Sequence, residues 1–174
     1  MSTATHEAGV SPGRLLRMTL QIYGNHTNKP EDNEAFSREY LAKVAEIHAR
    51  NGIEMYQQVF TPAPYRAALD EMNRRGNRGW VIDDHDITVE FYFRSFAELE
   101  KVRQDPDFQV LQAEEGPYVN LVHTVVTLGW VEKYVDDGRV VNLKDGKSTY
   151  PPWSELQDLS TSYSAPAVAP APAQ

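Results

Sequence analysis

The sequence predicts an α+β domain: a ferredoxin-like split βαβ with a four-stranded antiparallel sheet and its helices on one face. Three observations predict it. Four segments read as strands, and two of them alternate apolar and polar residues cleanly. Two others repeat apolar residues at three- and four-residue spacing or open on helix-start signals. The order is strand, helix, strand, strand, helix, strand, with extra helical material between the middle strands.

Each element has a local reason. From Arg14 onward, Leu16, Met18, Leu20 and Ile22 alternate with Arg17, Thr19, Gln21 and Tyr23, the pattern of a half-buried first strand. After the loop GNHTNKP, Pro30 with Glu31, Asp32 and Glu34 forms an acidic helix start. Phe36, Tyr40, Val44 and Ile47 then mark one helix face, which ends near Arg50-Asn51-Gly52, where glycine can take the left-handed conformation. IEMYQQVF is the second strand, TPAP breaks it, and YRAALDEMNRRG gives a short helix or helical turn. In DITVEFYF, Ile87, Val89, Phe91 and Phe93 share one face and Asp86, Thr88, Glu90 and Tyr92 the other. Ser95 with Glu98 three residues on is a capping box opening the next helix. DPDFQVLQAEEGPYVN continues as a short helix plus loop, LVHTVVTLGWVEKYV is a long fourth strand, and DDGR turns back into VVNL.

One helical layer leaves the other sheet face bare, so a second copy of the chain is expected to cover it: a homodimer through sheet faces. Residues 1–13 are small and polar and are expected to be a disordered tail; 14–142 form the domain; 143–174 form an arm with Tyr150 and Trp153, then an Ala/Pro-rich tail.

Bulk chemistry narrows the function. A net charge of −8 disfavours nucleic acid and anionic membranes. No apolar run approaches the roughly 18 residues that span a bilayer. The absence of cysteine removes disulfides, thiolate nucleophiles and Cys-ligated metals. The first residues lack a secretory pattern, which makes a cytoplasmic protein the expectation. Nucleotide-binding glycine motifs and a nucleophile elbow are missing, and DDHD at 83–86 has no second ligand set, so neither metal nor cofactor is expected.

The blocks RNGIEMYQQVFTP, WVIDDHDITVEFYFRS and LGWVEKYVDDGRVVN resemble the small EthD-type members of the dimeric α/β-barrel superfamily, closest to fungal members of polyketide pathways, over roughly residues 14–142. The resemblance implies a dimeric α/β barrel and cofactor-free acid–base chemistry on a hydrophobic, oxygenated small molecule: decarboxylation or dehydration of a polyketide intermediate. Cyclisation, including a pericyclic closure, is the alternative enzyme reading; a non-catalytic ligand carrier or auxiliary pathway protein is the alternative of another class. Relatives usually carry a histidine on the first helix. Here that slot holds Tyr40, the block histidine is replaced by Asn51, and His48 stands two turns later. The acid–base role has then either moved or passed to the Tyr40 phenol.

Such a lyase needs an acid, a donor for the developing enolate and often a base. Histidine titrates near neutrality, tyrosine can donate to an enolate oxygen, and a buried carboxylate can act as base. The catalytic candidates are therefore Tyr40, His48, Tyr56, Asp86, Tyr92 and His123, the last read as sharing a strand face with Val125 and Thr127. Tyr23, Phe36, Trp80 and His85 are expected to bind substrate, as walls of an aromatic cavity between helices and sheet. Each has a plainer reading. His48 near a helix end complements the dipole, His85 belongs to a solvated strand start, and the tyrosines are packing.

Overall fold

A computed structural model describes residues 14–155. Four strands form one antiparallel sheet: β1 (Leu16–Gly24), β2 (Met55–Phe60), β3 (Ile87–Phe93) and β4 (Val119–Trp130), in the order β2-β3-β1-β4. Between them run α1 (Pro30–Arg50), α2 (Ala63–Arg75), α3 (Phe96–Gln104) and α4 (Pro106–Glu115). This is the ferredoxin-like α+β arrangement.

Register decides which side chains meet. Leu20 lies opposite Val89 on one side and Val126 on the other, and Tyr56 lies opposite Phe91. Leu16, Leu20, Ile22, Val89, Phe91, Phe93 and Tyr56 therefore share one face, as the alternation predicts. The helices pack there: Val44 and Ile47 of α1 and Leu111 of α4 cluster with Tyr40, Tyr56 and Phe108. Phe93 is 0% exposed, burial that contributes about 2–3 kcal/mol. The opposite face carries Arg17, Thr19, Gln21, Tyr23, Gln57, Thr88, Glu90 and Tyr92.

Helix ends follow the sequence signals. Pro30 occupies the first turn of α1 with Glu31 and Asp32 beside it, and Gly52 past its end takes φ +92°. The Ser95 amide donates to Glu98 Oε2 at 2.6 Å, and the Ser95 hydroxyl accepts from the Ala97 amide, so the capping box opens α3. Arg50 grips Asp105 through two nitrogens at 2.9 and 2.6 Å, and Asn51 Nδ2 donates to the same carboxylate at 2.8 Å. Asp105 in turn caps α4 by accepting from the Asp107 amide. Asn51 is thus a strut between α1 and the α3–α4 junction.

The fourth strand departs from its reading in two ways. It starts earlier and stops at Trp130. Its pairing with β1 also jumps from Gln21↔Val125 to Tyr23↔Asn120, so Leu121–Thr124 bulge out against Ile22. Asn120 Oδ1 and the Leu121 carbonyl hold the bulge by accepting from the Val122 amide and the Thr124 hydroxyl.

The chain divides into two compact units after Trp130, ahead of the expected boundary at 142. Within the second, β5 (Val135–Asp136) pairs with β6 (Arg139–Val140), and β7 (Leu143–Lys144) with β8 (Lys147–Ser148). Each hairpin turns on Asp-Gly with both residues at positive φ: Asp137 and Gly138, then Asp145 and Gly146. The first hairpin is the predicted turn at DDGR; the second lies in what the sequence reads as an arm. Tyr150 belongs to it, its hydroxyl accepting from the Lys133 amide at 2.9 Å and from Asn142 Nδ2 at 3.0 Å. The expected tails at 1–13 and beyond 155 lie outside the described residues, and among those residues no helix is long and apolar enough to cross a membrane.

Candidate active site

Between α1, α4 and the apolar sheet face lies a cavity of about 190 Å³. Leu20 and Ile22 of β1 and Val89 of β3 form its floor, and Phe36 of α1 and Phe108 of α4 its walls. Phe36 stacks on Tyr118 at 3.9 Å, which stiffens the wall. A wider hollow of about 680 Å³ adjoins it as a vestibule and shares Gly24, Asn33, Ser37 and Ile87.

Four of the polar side chains that line the cavity are Tyr40, Glu115, Tyr56 and His48. Tyr40 donates its phenolic proton to Glu115 Oε2 at 2.8 Å. Burial and the neighbouring carboxylate push the Tyr40 pKa far up, so the phenol keeps its proton. Burial also raises the Glu115 carboxyl above its ordinary range, against the lowering effect of the Tyr40 bond. Tyr56 sits deeper, and desolvation pushes its hydroxyl up to about 12. Its oxygen accepts from Gln58 Nε2 at 2.9 Å, which leaves its own proton to donate.

His48 is the fourth. It is 2% exposed and wedged between Tyr56, Phe91 and Phe108, with ring centroids 4.6, 5.3 and 5.6 Å away. Neither ring nitrogen makes a hydrogen bond of good geometry, although the Val44 carbonyl one turn back pulls weakly on a proton. Desolvation dominates and lowers the pKa to about 4, so the ring is neutral. It is therefore not the surface dipole partner that its place near the helix end suggests.

Tyr40, His48, Tyr56 and Phe36 are thus gathered in one cavity, while the other expected residues stand elsewhere. Tyr92 and Tyr23 point from the opposite sheet face: Tyr92 donates to Glu90 at 3.0 Å, and Tyr23 donates to Asp84 at 2.5 Å while stacking on His85. His85 donates from Nδ1 to Asp83 at 2.6 Å and from Nε2 to the His123 carbonyl at 3.1 Å. Both partners are acceptors, so both bonds together need the imidazolium. The Asp83 bond is the main cause of the raised His85 pKa, and the residue acts as a pin. Asp86 lines the vestibule, not the cavity, accepting from the Gly24 amide at 2.9 Å and His26 Nε2 at 2.6 Å. Burial raises its pKa, but those bonds and Arg66 outweigh that and hold it low. His123 falls in the β4 bulge with its side chain exposed, so the parity that aligned it with Val125 and Thr127 is broken. Trp80 is an exposed loop residue under the Arg78 guanidinium.

The sequence reading missed Glu115 and Gln58. Glu115 sits at the end of α4 in AEEGPY, which reads as a solvated helix terminus; only the fold brings it to Tyr40, 75 residues away. Gln58 alternates with Tyr56 on the same strand, and that spacing was the available signal. Asp83, Asp84 and His85 place ligand atoms within 4.8 Å of one another, but His85 spends both nitrogens on protein acceptors.

Comparison with known proteins bears on the chemistry. The EthD domain profile matches residues 26–121. A protein of Aspergillus terreus named "Putative oxygenase" is 40% identical over 140 residues, 80% of this chain and 88% of that protein. The "Conidial pigment biosynthesis dehydratase EthD" of Metarhizium robertsii is 24% identical, covering 75% and 92%. "Decarboxylase nsrE" of Aspergillus novofumigatus is 28% identical, covering 82% and 97%.

Proposed function

The chain belongs to the EthD domain family, and on that premise we propose that it is a cofactor-independent lyase of a polyketide-derived intermediate in secondary metabolism. Of the two lyase reactions, dehydration of a neutral β-hydroxy carbonyl compound fits better than decarboxylation. Among the described residues lining the cavity there is no lysine or arginine to receive a carboxylate, and Glu115 would repel one. The observation that carries the reading is the Tyr40–Glu115 hydrogen bond inside an apolar cavity.

The steps balance without a cofactor. Glu115, its basicity raised by burial, takes the proton from the carbon beside the carbonyl. The Tyr56 hydroxyl donates to the carbonyl oxygen as charge builds there. The carbon–oxygen bond at the β position then breaks, and the leaving hydroxyl takes the Tyr40 proton and departs as water. Protonated Glu115 returns the proton to Tyr40 along the bond they share, restoring the starting state. Tyr40 here takes the acid role from the first-helix slot where the family resemblance implies a histidine.

The test is turnover by purified protein of a phenolic β-hydroxy ketone, followed by loss of water in the product mass. Tyr40→Phe and Glu115→Gln should each lower kcat by about 100- to 10,000-fold, with thermal unfolding near that of the parent. The kcat/KM profile should fall on the acid side through a pKa above 4.5, the group's ordinary value, and that limb should vanish in Glu115→Gln. Full activity in both variants would refute the assignment. The relative named as an oxygenase favours a second reading, in which the same carbanion meets dioxygen; oxygen consumption with no water lost would select it.

A further inference from the structure

Among the described residues, the buried side-chain polar atoms without a hydrogen-bond partner are both ring nitrogens of His48 and Oε1 of Gln58. Both residues line the same cavity. Two such groups in one cavity are unusual, because an unmet buried donor or acceptor is a free-energy penalty that an apolar residue of the same shape would remove. Valine, leucine and phenylalanine line the rest of the floor without difficulty. A neutral imidazole always presents one N–H and one bare nitrogen, and the Gln58 oxygen presents two lone pairs. Turning the Gln58 amide over exchanges its two ends and leaves one still unmet. A ligand in the cavity can supply those partners; on the protein side only the Val44 carbonyl draws weakly on a His48 proton.

Size and charge restrict that ligand. An apolar cavity of about 150 Å³ admits benzene, so 190 Å³ admits one substituted ring or a fused pair. The aromatic rings around His48 suit a flat guest. With Glu115 as the charged residue of the lining, an anion is disfavoured.

We propose that His48 and Gln58 are the recognition pair of this cavity, and that they select an uncharged one- or two-ring aromatic compound carrying two hydroxyl or carbonyl oxygens, at least one a hydroxyl. Gln58 Oε1 accepts from the hydroxyl, and His48 serves the second oxygen with whichever nitrogen that oxygen requires. This inference rests on the cavity being the substrate site, as above, but concerns recognition and not the chemical step.

The test measures binding, with naphthalene, 1-naphthol and 1,3-dihydroxynaphthalene titrated calorimetrically into the full chain. Each hydroxyl should tighten binding about tenfold. In His48→Phe and in Gln58→Leu the diol should lose about tenfold, while naphthalene binds as before and the thermal midpoint stays level or rises. Equal affinity for all three probes overturns the proposal. So do variants that keep the parent's diol affinity, above all if both also melt below it, since the two groups would then be ordinary supports of the fold. Graded binding with no dehydration of any substrate removes the lyase reading and leaves this one standing. Dehydration that survives unchanged affinity in both variants does the reverse.

Discussion

His48 carries a pH signature that differs in sign from that of the other buried histidine. Its pKa in the folded chain is about 4, below the ordinary 6.5, because burial disfavours the charged ring. The unfolded chain therefore binds a proton first. The stability tied to the neutral ring is fully present above pH 6.5 and is lost as pH falls from there toward 4, an effect of order 3 kcal/mol. His85 behaves oppositely: its pKa is raised by Asp83, so its contribution is full below 6.5 and fades as pH rises through the folded value. Melting the parent and His48→Phe between about pH 7 and about pH 4 should show a shallower acid loss in the variant; parallel curves would mean the ring is not held neutral. Asp83→Asn should lower the midpoint more in acid than in alkali. None of this was legible in the sequence. HDIT and EIHAR each display a histidine among charges, and only the fold seals one among rings and pairs the other with a carboxylate.

Caps and strand alternation, by contrast, were legible, because their causes are local. Pro30, Gly52, Ser95 and Glu98 act within four residues of where they stand, so their meaning survives without tertiary information. Gly52 also makes a long-range demand. Its φ of +92° disfavours any side chain, and a Cβ there would come within 3.1 Å of Glu98 Cγ, the residue that caps α3. Gly52→Ala thus strains the end of α1 and disturbs the start of α3 together. The expected loss is about 1–2 kcal/mol, or some 3–8 °C in a chain of this size, read by calorimetry; an unchanged midpoint would show that the junction yields freely. The β4 bulge marks the limit of local reading. LVHTVVTL alternates acceptably through His123, and nothing in it announces that four residues leave the ladder opposite Ile22. The same bulge brings Leu121 into the cavity wall while turning His123 outward.

At the scale of the molecule, the unhelical sheet face asks for a partner whose chemistry is mixed. Its centre is polar and internally satisfied: Glu90 meets Arg17 at 3.4 Å, Tyr92 at 3.0 Å and Gln57, and Thr19 meets Thr127. Around that centre Met55, Val59 and Val125 form an exposed apolar margin, each set on this face by its pairing with Tyr92, Thr88 or Gln21. Apolar residues ringing a satisfied polar centre suit a second copy related by a two-fold axis, which would bury the margins while each network keeps its own partners. The sequence argued only that one layer of helices leaves a face uncovered; the polar centre depended on register. Sedimentation of the full chain should therefore give a homodimer. Two copies each at −8 repel, so added salt should tighten it. Val59→Glu and Val125→Glu change residues already exposed in the single subunit, so each should fold as the parent does and shift the equilibrium toward monomer. A parent that stays monomeric at about 100 μM, far above the micromolar Kd a modest interface reaches, would mean the face is finished as it stands.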